Sequence, residues 1–250
     1  MALAIDGHGF YGEEQGGGGG AGGPAPGTFP ADTIGASPLT TTQPNDLIVV
    51  FVEASPAGSS YNTAAGYPPP VVTDTAGLTW IHRGSQACYY WSAYYGYYCV
   101  DEFWAVSPSP LTNDVIQATL PFNTGNGAVF AVAVSGVQAL ADPFSSAAPS
   151  SSTQAYDSVT TAYPGDMALG IGYFADPYGC VDPEGGATAI VRCTDTNWCC
   201  EYLVAATPGV VTLEYSPPAA EALLCFADVV SAAAPGQPIP TTLTLQATAL

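Results

Sequence analysis

The chain has 250 residues, 48% of them hydrophobic, which is enough for a sizeable core in one large all-β domain or two small ones. Its net charge of -19 comes from 21 acids set against two arginines, Arg83 and Arg192, with only 9% of residues charged. Two arginines cannot line a basic stripe, so nucleic acid and anionic membrane are poor partners, and neither nucleic-acid binding nor membrane insertion is expected. The charge instead favours solubility and repulsion between free copies.

In chain order, the opening "MALAIDGHGFYG" lacks a basic segment followed by an apolar run, so it is not expected to be a signal peptide. Residues 16–27, "GGGGGAGGPAPG", have linker composition, with glycines for pliancy and prolines for a stiffer end. Residues 1–38 are therefore expected to be an extended N-terminal arm and residues 39–250 the folded body. Strand-length apolar runs follow: "DLIVVFVEA", "LTWIHRGS", "VDEFWAVS", "DVIQATLP", "GAVFAVAVSG", "DMALGIGYFA", "ATAIVRC", "CEYLVAA", "GVVTLEYS", "EALLCFADVV" and, over 240–249, a C-terminal strand containing "TTLTLQATA". Turn residues punctuate them, no helical period is sustained, and no run approaches the roughly 18 apolar residues of a membrane helix. The expected fold is all-β, a jelly-roll-like antiparallel β-sandwich.

The body repeats itself, with repeat one at about 39–140 and repeat two at about 155–235. "TTTQPNDLIVVFVEA" aligns with "TTAYPGDMALGIGYFA", matching Pro44 to Pro164 and Asp46 to Asp166. "GLTWIHRG" aligns with "GATAIVRC", which matches Arg83 to Arg192, and "DEFWAVSPSP" with "CEYLVAATPG", which matches Glu102 to Glu201. One cross-strand Arg–Glu pair per repeat is therefore expected. Its main role would be to fix register, since a one-residue slip exchanges the faces of a strand. The head and the C-terminal strand fall outside the repeat, and either could pair at a sheet edge of its own chain or of a neighbour.

Seven cysteines leave at least one thiol unpaired within the chain. Cys88 with Cys99 is the first expected bridge. Cys180 or Cys193 with Cys199 or Cys200 is the next, and Cys225 is expected to be a buried small hydrophobe. No C-x-x-C pair exists, which argues against zinc. Asp176, Asp182 and Glu184 share a loop that could offer oxygen ligands to calcium, but they lack the spacing of a dedicated calcium loop. Turn-forming aspartates are the expected reading, with no cofactor.

Catalytic constellations are sparse. Only His8 and His82 could serve a nucleophile as base, and no G-x-S-x-G elbow occurs. Glu102 and Glu201 could be proposed as a glycosidase pair, but each is expected to be satisfied by its arginine. No enzyme is expected. The distinctive element is "CYYWSAYYGYYC", in which Tyr89, Tyr90, Trp91, Tyr94, Tyr95, Tyr97 and Tyr98 lie between two cysteines. Tyrosine with Ser and Gly supplies rigid amphipathic contact area, so this stretch is expected to be an exposed, disulfide-closed tip that meets a neighbouring protein. Glycan binding and packing onto the chain's own body are the alternatives.

The strands "NDLIVVFVEA", "DTAGLTWIHRG", "DEFWAVSPSPLTNDVIQATL" and "AVFAVAVSGV" resemble β-sandwich virion surface proteins of tailed phages, of the decoration, fibre or tail-appendage type. The resemblance covers residues 39–140. It implies a non-enzymatic structural or adhesive role on a virion or in an extracellular assembly, with copies of itself or other assembly proteins as partners. A filament subunit joined by strand exchange and a carbohydrate-binding module are the other two classes.

Overall fold

The computed structural model describes residues 3–14, 33–35, 38–56, 68–84, 87–92, 96–120, 124–137, 142–146, 148–154, 156–174, 185–191, 198–215 and 222–232. The 16–27 linker, Cys180, Arg192, Cys193, the loop of Asp176, Asp182 and Glu184, and the run at 240–249 lie outside the described residues. So do Tyr94 and Tyr95.

The organising element is β3 (Asp46–Pro56), whose residues Leu47 to Val52 form an unbroken apolar run with no exposed surface. Such a run belongs to a strand covered on both faces. Leu47, Val49 and Phe51 point into one core, and Ile48, Val50 and Val52 into another. On its two sides β3 pairs antiparallel with β7 (Gly96–Ser107) and β9 (Thr124–Ser135). Beyond β7 lies the two-residue β5 (Ile81–His82), and β6 (Ala87–Ser92) also pairs with β7. Beyond β9 lies β1 (Ala4–Glu14), which gives the order β1-β9-β3-β7-β5.

A second large sheet runs β10 (Ser150–Ser152), β16 (Ala222–Val230), β12 (Met167–Phe174), β14 (Trp198–Val204), β13 (Thr188–Val191). The two large sheets stack on each other. Phe51 meets Phe226 edge-on at 5.8 Å, and Tyr98 stacks on Tyr173 at 4.8 Å.

Each large sheet has a small one on its outer face. The three strands β2 (Thr33–Gly35), β8 (Ile116–Thr119) and β4 (Val71–Asp74) close a core over the first. The pair β11 (Tyr156–Thr161) and β15 (Gly209–Glu214) closes one over the second. The chain is all-β with antiparallel sheets, a sandwich at its centre. It differs from a plain two-sheet jelly roll in having four layers, because the central strands are apolar on both faces and each face has to be covered.

Local chemistry explains how the two central strands begin. Pro44-Asn45 precedes Asp46 and Pro164-Gly165 precedes Asp166. Asn45 and Gly165 take left-handed φ of 63° and 90°, as a Pro-led turn with a positive third position requires. Their amides donate to Ser107 O at 2.8 Å and Ala205 O at 2.7 Å. In the second half, a Cβ on Gly170 would lie 2.6 Å from Leu213 Cδ1 and 2.9 Å from Tyr215 Oη, so any other residue there would have to displace those side chains.

The head is not a free arm. Residues 4–14 form the edge strand β1, Leu3 is buried in the central core, and Ile5 packs against it. Asp6 accepts from Thr42 N at 2.6 Å, Thr42 Oγ1 at 2.7 Å and Gln43 N at 3.1 Å. The glycines at 7, 9 and 12 hide the strand pattern in sequence.

Candidate functional site

Two features of the fold could carry function: the tyrosine hairpin and a set of buried acids around Arg83. The hairpin is formed by β6 and the start of β7, and Cys88 and Cys99 are opposed in its register. They form the expected disulfide, which closes a sequence separation of 11. Tyr89, Tyr90 and Trp91 lie in β6, and Tyr97 lies in β7.

Tyr98 departs from the expectation. It is 1% exposed and stacked on Tyr173 of β12, so it anchors the hairpin in the central core and is no surface contact. Its position alternates with Val100 and Trp104 toward the facing sheet, and period two decides the matter. Removing the bridge as C88A/C99A should cost about 2–3 kcal/mol by the loop-closure relation. Thermal unfolding of the variant beside wild type under non-reducing conditions measures this loss.

Among the other cysteines, Cys199 is disulfide-bonded and Cys200 is a free, buried thiol whose pKa burial pushes far up, so Cys200 drops out as a bridge candidate. Cys225 is fully buried, as expected. Among the described residues no group of three or more His, Cys, Asp or Glu is placed to hold a metal ion.

The expected Arg83–Glu102 pair is corrected by the structure. The two residues are opposed across strands, with Arg83 N donating to Glu102 O at 2.8 Å, but the guanidinium bonds elsewhere. Nε donates to Asp228 Oδ2 at 2.8 Å and Nη2 to Ser146 O at 2.7 Å, and the group lies 4.3 Å over the Phe144 ring. Asp142, largely exposed, lies 3.8 Å from Nη1. Asp228 comes from β16, so this ion pair joins the two large sheets through the central core.

Asp228 also accepts hydrogen bonds from Val229 N at 2.7 Å and from Ser146 Oγ. Glu102 is 3% exposed, and neither of its oxygens receives a hydrogen bond from an N–H or O–H group. Its neighbour is the Asp228 carboxyl, to which it can only donate. Burial and the Asp228 charge hold Glu102 well above the carboxylate range, against the pull of Arg83. Asp228 is raised by burial too, although Arg83 Nε, Ser146 Oγ and Val229 N all donate to it and none of them to the Glu102 carboxyl.

Glu201, matched to Glu102 by sequence, faces the other way. Glu102 shares its face with Val100 and Trp104 in the central core, whereas Glu201 lies between Cys200 and Tyr202, which take the central face, and points with Leu203 toward the outer layer. A one-residue offset in the match accounts for the exchange of faces. Glu201 is 1% exposed, both oxygens lack a hydrogen-bond partner, and burial pushes its pKa up to about 8. The partner expected for it, Arg192, lies outside the described residues.

The same pairing of acids recurs between Asp6 of β1 and Asp46 at the start of β3. Asp46 is fully buried; burial, with the Asp6 carboxyl bonded to it, pushes it up to about 7. Asp6, held by Thr42 and Gln43, is the ionised member, and its pKa lies below the ordinary value. Asp166, at the matching turn, instead accepts from Ala162 N, Tyr163 N, Ser145 Oγ and Ala232 N. His82 is half-buried and bonds Asp101 at 2.9 Å, which makes it a partnered strand residue.

At least nine acids are buried: Asp46, Glu53, Asp101, Glu102, Asp114, Asp157, Asp166, Glu201 and Asp228. The formal charge therefore overstates the charge carried on the surface. The signal for Asp228 was present in "CFADVV", where an acid interrupts a strand that is otherwise apolar on both faces. No protein family, curated protein or solved structure matches the chain.

Proposed function

We propose that this chain is a non-enzymatic structural or adhesive subunit of an extracellular assembly, of the virion-surface kind that residues 39–140 resemble. The observation that carries the reading is the placement of the carboxyls. Glu102 and Glu201, the pair a hydrolase would need, are 3% and 1% exposed and project from opposite faces of different sheets, so no substrate bridges them. Disulfides at Cys88–Cys99 and at Cys199 suit an oxidising location.

The body is best read as two copies of one unit. This reading is supported by the parallel strand orders, with β9, β3, β7 and β5 of the first sheet taking the places of β16, β12, β14 and β13 in the second. It is supported again by the Pro-led turns before β3 and β12 and their equivalent hydrogen bonds. Duplication yields a stiff block with two similar ends, which suits a building element. The jelly-roll description then applies at most to the way the units wrap together.

The contact element is the tyrosine hairpin, whose β6 arm lies against β16 and is fixed at its base by Tyr98 and the disulfide. Sedimentation over a wide concentration range should show self-association, and replacing Tyr89, Tyr90, Trp91, Tyr94, Tyr95 and Tyr97 by Ser should abolish it with little change in Tm. A chain that stays monomeric throughout and instead retains sugars on a glycan array, losing them with the same substitutions, would replace this reading with a carbohydrate-binding module.

A further inference from the structure

The edge strand β1 and its tether bear on how copies of the chain join, an inference that rests on the reading of the chain as an assembly subunit. β1 has a specific docking site. It pairs with β9 from Ala4↔Ser135 to Glu14↔Asn126, Leu3 enters the central core, and Asp6 fastens to Thr42 and Gln43. The fit is close at Gly7, where a Cβ would lie 2.5 Å from Thr40 O.

The tether is long enough to reach a second copy. β1 ends at Glu14 and β2 begins at Thr33, which leaves 18 residues between them, eight of them glycine. β1 and β2 lie against each other in the same chain. Neighbouring elements are ordinarily joined by about 4–6 residues. Eighteen residues span roughly 60 Å when extended, more than the ~45 Å width of a domain this size.

We propose that β1 is exchanged between copies, with the strand Ala4–Glu14 of one chain pairing with β9 of a second. Every contact made in cis is remade in trans, so the exchange sacrifices no packing and is decided by the local concentration of neighbouring copies. An assembly supplies that concentration. β9 provides the acceptor edge because its residues Val129 to Val134 are buried on both faces and its register with β1 is long.

The test uses the full chain in two differently tagged forms, one carrying A4C and the other S135C, co-expressed and oxidised gently. Ala4 is exposed and Ser135 is half-buried, so neither substitution disturbs the core. Exchange predicts a disulfide between the two tagged forms, its yield rising with concentration and vanishing on reduction. A second protein carrying both substitutions on one chain reports pairing in cis. If that protein forms its bond only within each chain, at every concentration, and the tagged forms never cross-link, exchange is overturned. Should the chain still assemble in that case, the assembly reading survives without it; a chain that is also monomeric throughout defeats both.

Discussion

Replacing Arg83 with leucine should destabilise the protein by about 3–5 kcal/mol, the range observed when one member of a buried ion pair is removed. At 2–4 °C per kcal/mol for a chain of this size, Tm should fall by roughly 6–20 °C. The loss follows from what remains behind. Asp228 would sit in the central core with its charge answered only by Ser146 Oγ and Val229 N, and Phe144 would lose the cation over its ring. Arg83→Lys should be intermediate, because an ammonium cannot reach both Asp228 Oδ2 and Ser146 O with the same planar fork. The double variant R83L/D228N should recover part of the loss, since a neutral amide in place of the carboxylate leaves no unpaired charge. Urea unfolding of the three variants decides it. An R83L protein within about 1 kcal/mol of wild type would mean that the cluster contributes little to holding the sheets together.

The second large effect is a stability that declines as pH rises. Glu201 is pushed up to about 8 and Asp46 to about 7, and burial also raises Glu102, Asp228 and Asp157. In the unfolded chain these groups lose their protons near pH 4. Between that pH and their folded values the native state holds more protons than the unfolded state, so stability falls with rising pH across the window and levels off above about pH 8. Asp6 acts in the opposite sense, being lowered, and offsets part of the slope at the acid end. At about 1.4 kcal/mol per unit, a rise like that of Glu201 is worth a few kcal/mol. Tm should be highest near pH 4–5 and lower by on the order of 5–15 °C at pH 9.

General repulsion among acids has the same sign, but salt screens it. Thermal scans in about 0.5 M NaCl should therefore leave most of the slope in place. Glu201→Gln should match wild type near pH 5 and exceed it at pH 9. A wild-type optimum at pH 7–8 would contradict this protonation scheme.

Much of the architecture was legible in the apolar runs. The stretches "DLIVVFVEA", "GAVFAVAVSG" and "EALLCFADVV" became β3, β9 and β16, since a run of β-branched and aromatic residues between turn signals has few other solutions. The strands that do not stand out as apolar runs have identifiable reasons. β1 is glycine-rich, and β11 buries Asp157 and Thr161 beside Val159, so its inward face does not look apolar. β4 and β10 are too short to show a period.

The site was legible less evenly. The Cys88–Cys99 bridge followed from two cysteines flanking one hairpin, which is a local relation. The Arg83 partner did not, because Asp228 is 145 residues away and reaches it across the gap between two sheets. Nor did the true face of Glu201, where a match of residue type was one position out.

By itself the sequence determined the all-β class, the hairpin with its bridge, the Pro-led turns and the absence of any basic surface, because each depends on neighbours in the chain or on composition alone. Only the tertiary structure decided that four layers stack, that Tyr98 belongs to the core, that Asp228 takes the arginine, and that burial beside Asp228 raises the pKa of Glu102. Those outcomes turn on which faces meet and which groups lose water together, and neither is a property of any single segment.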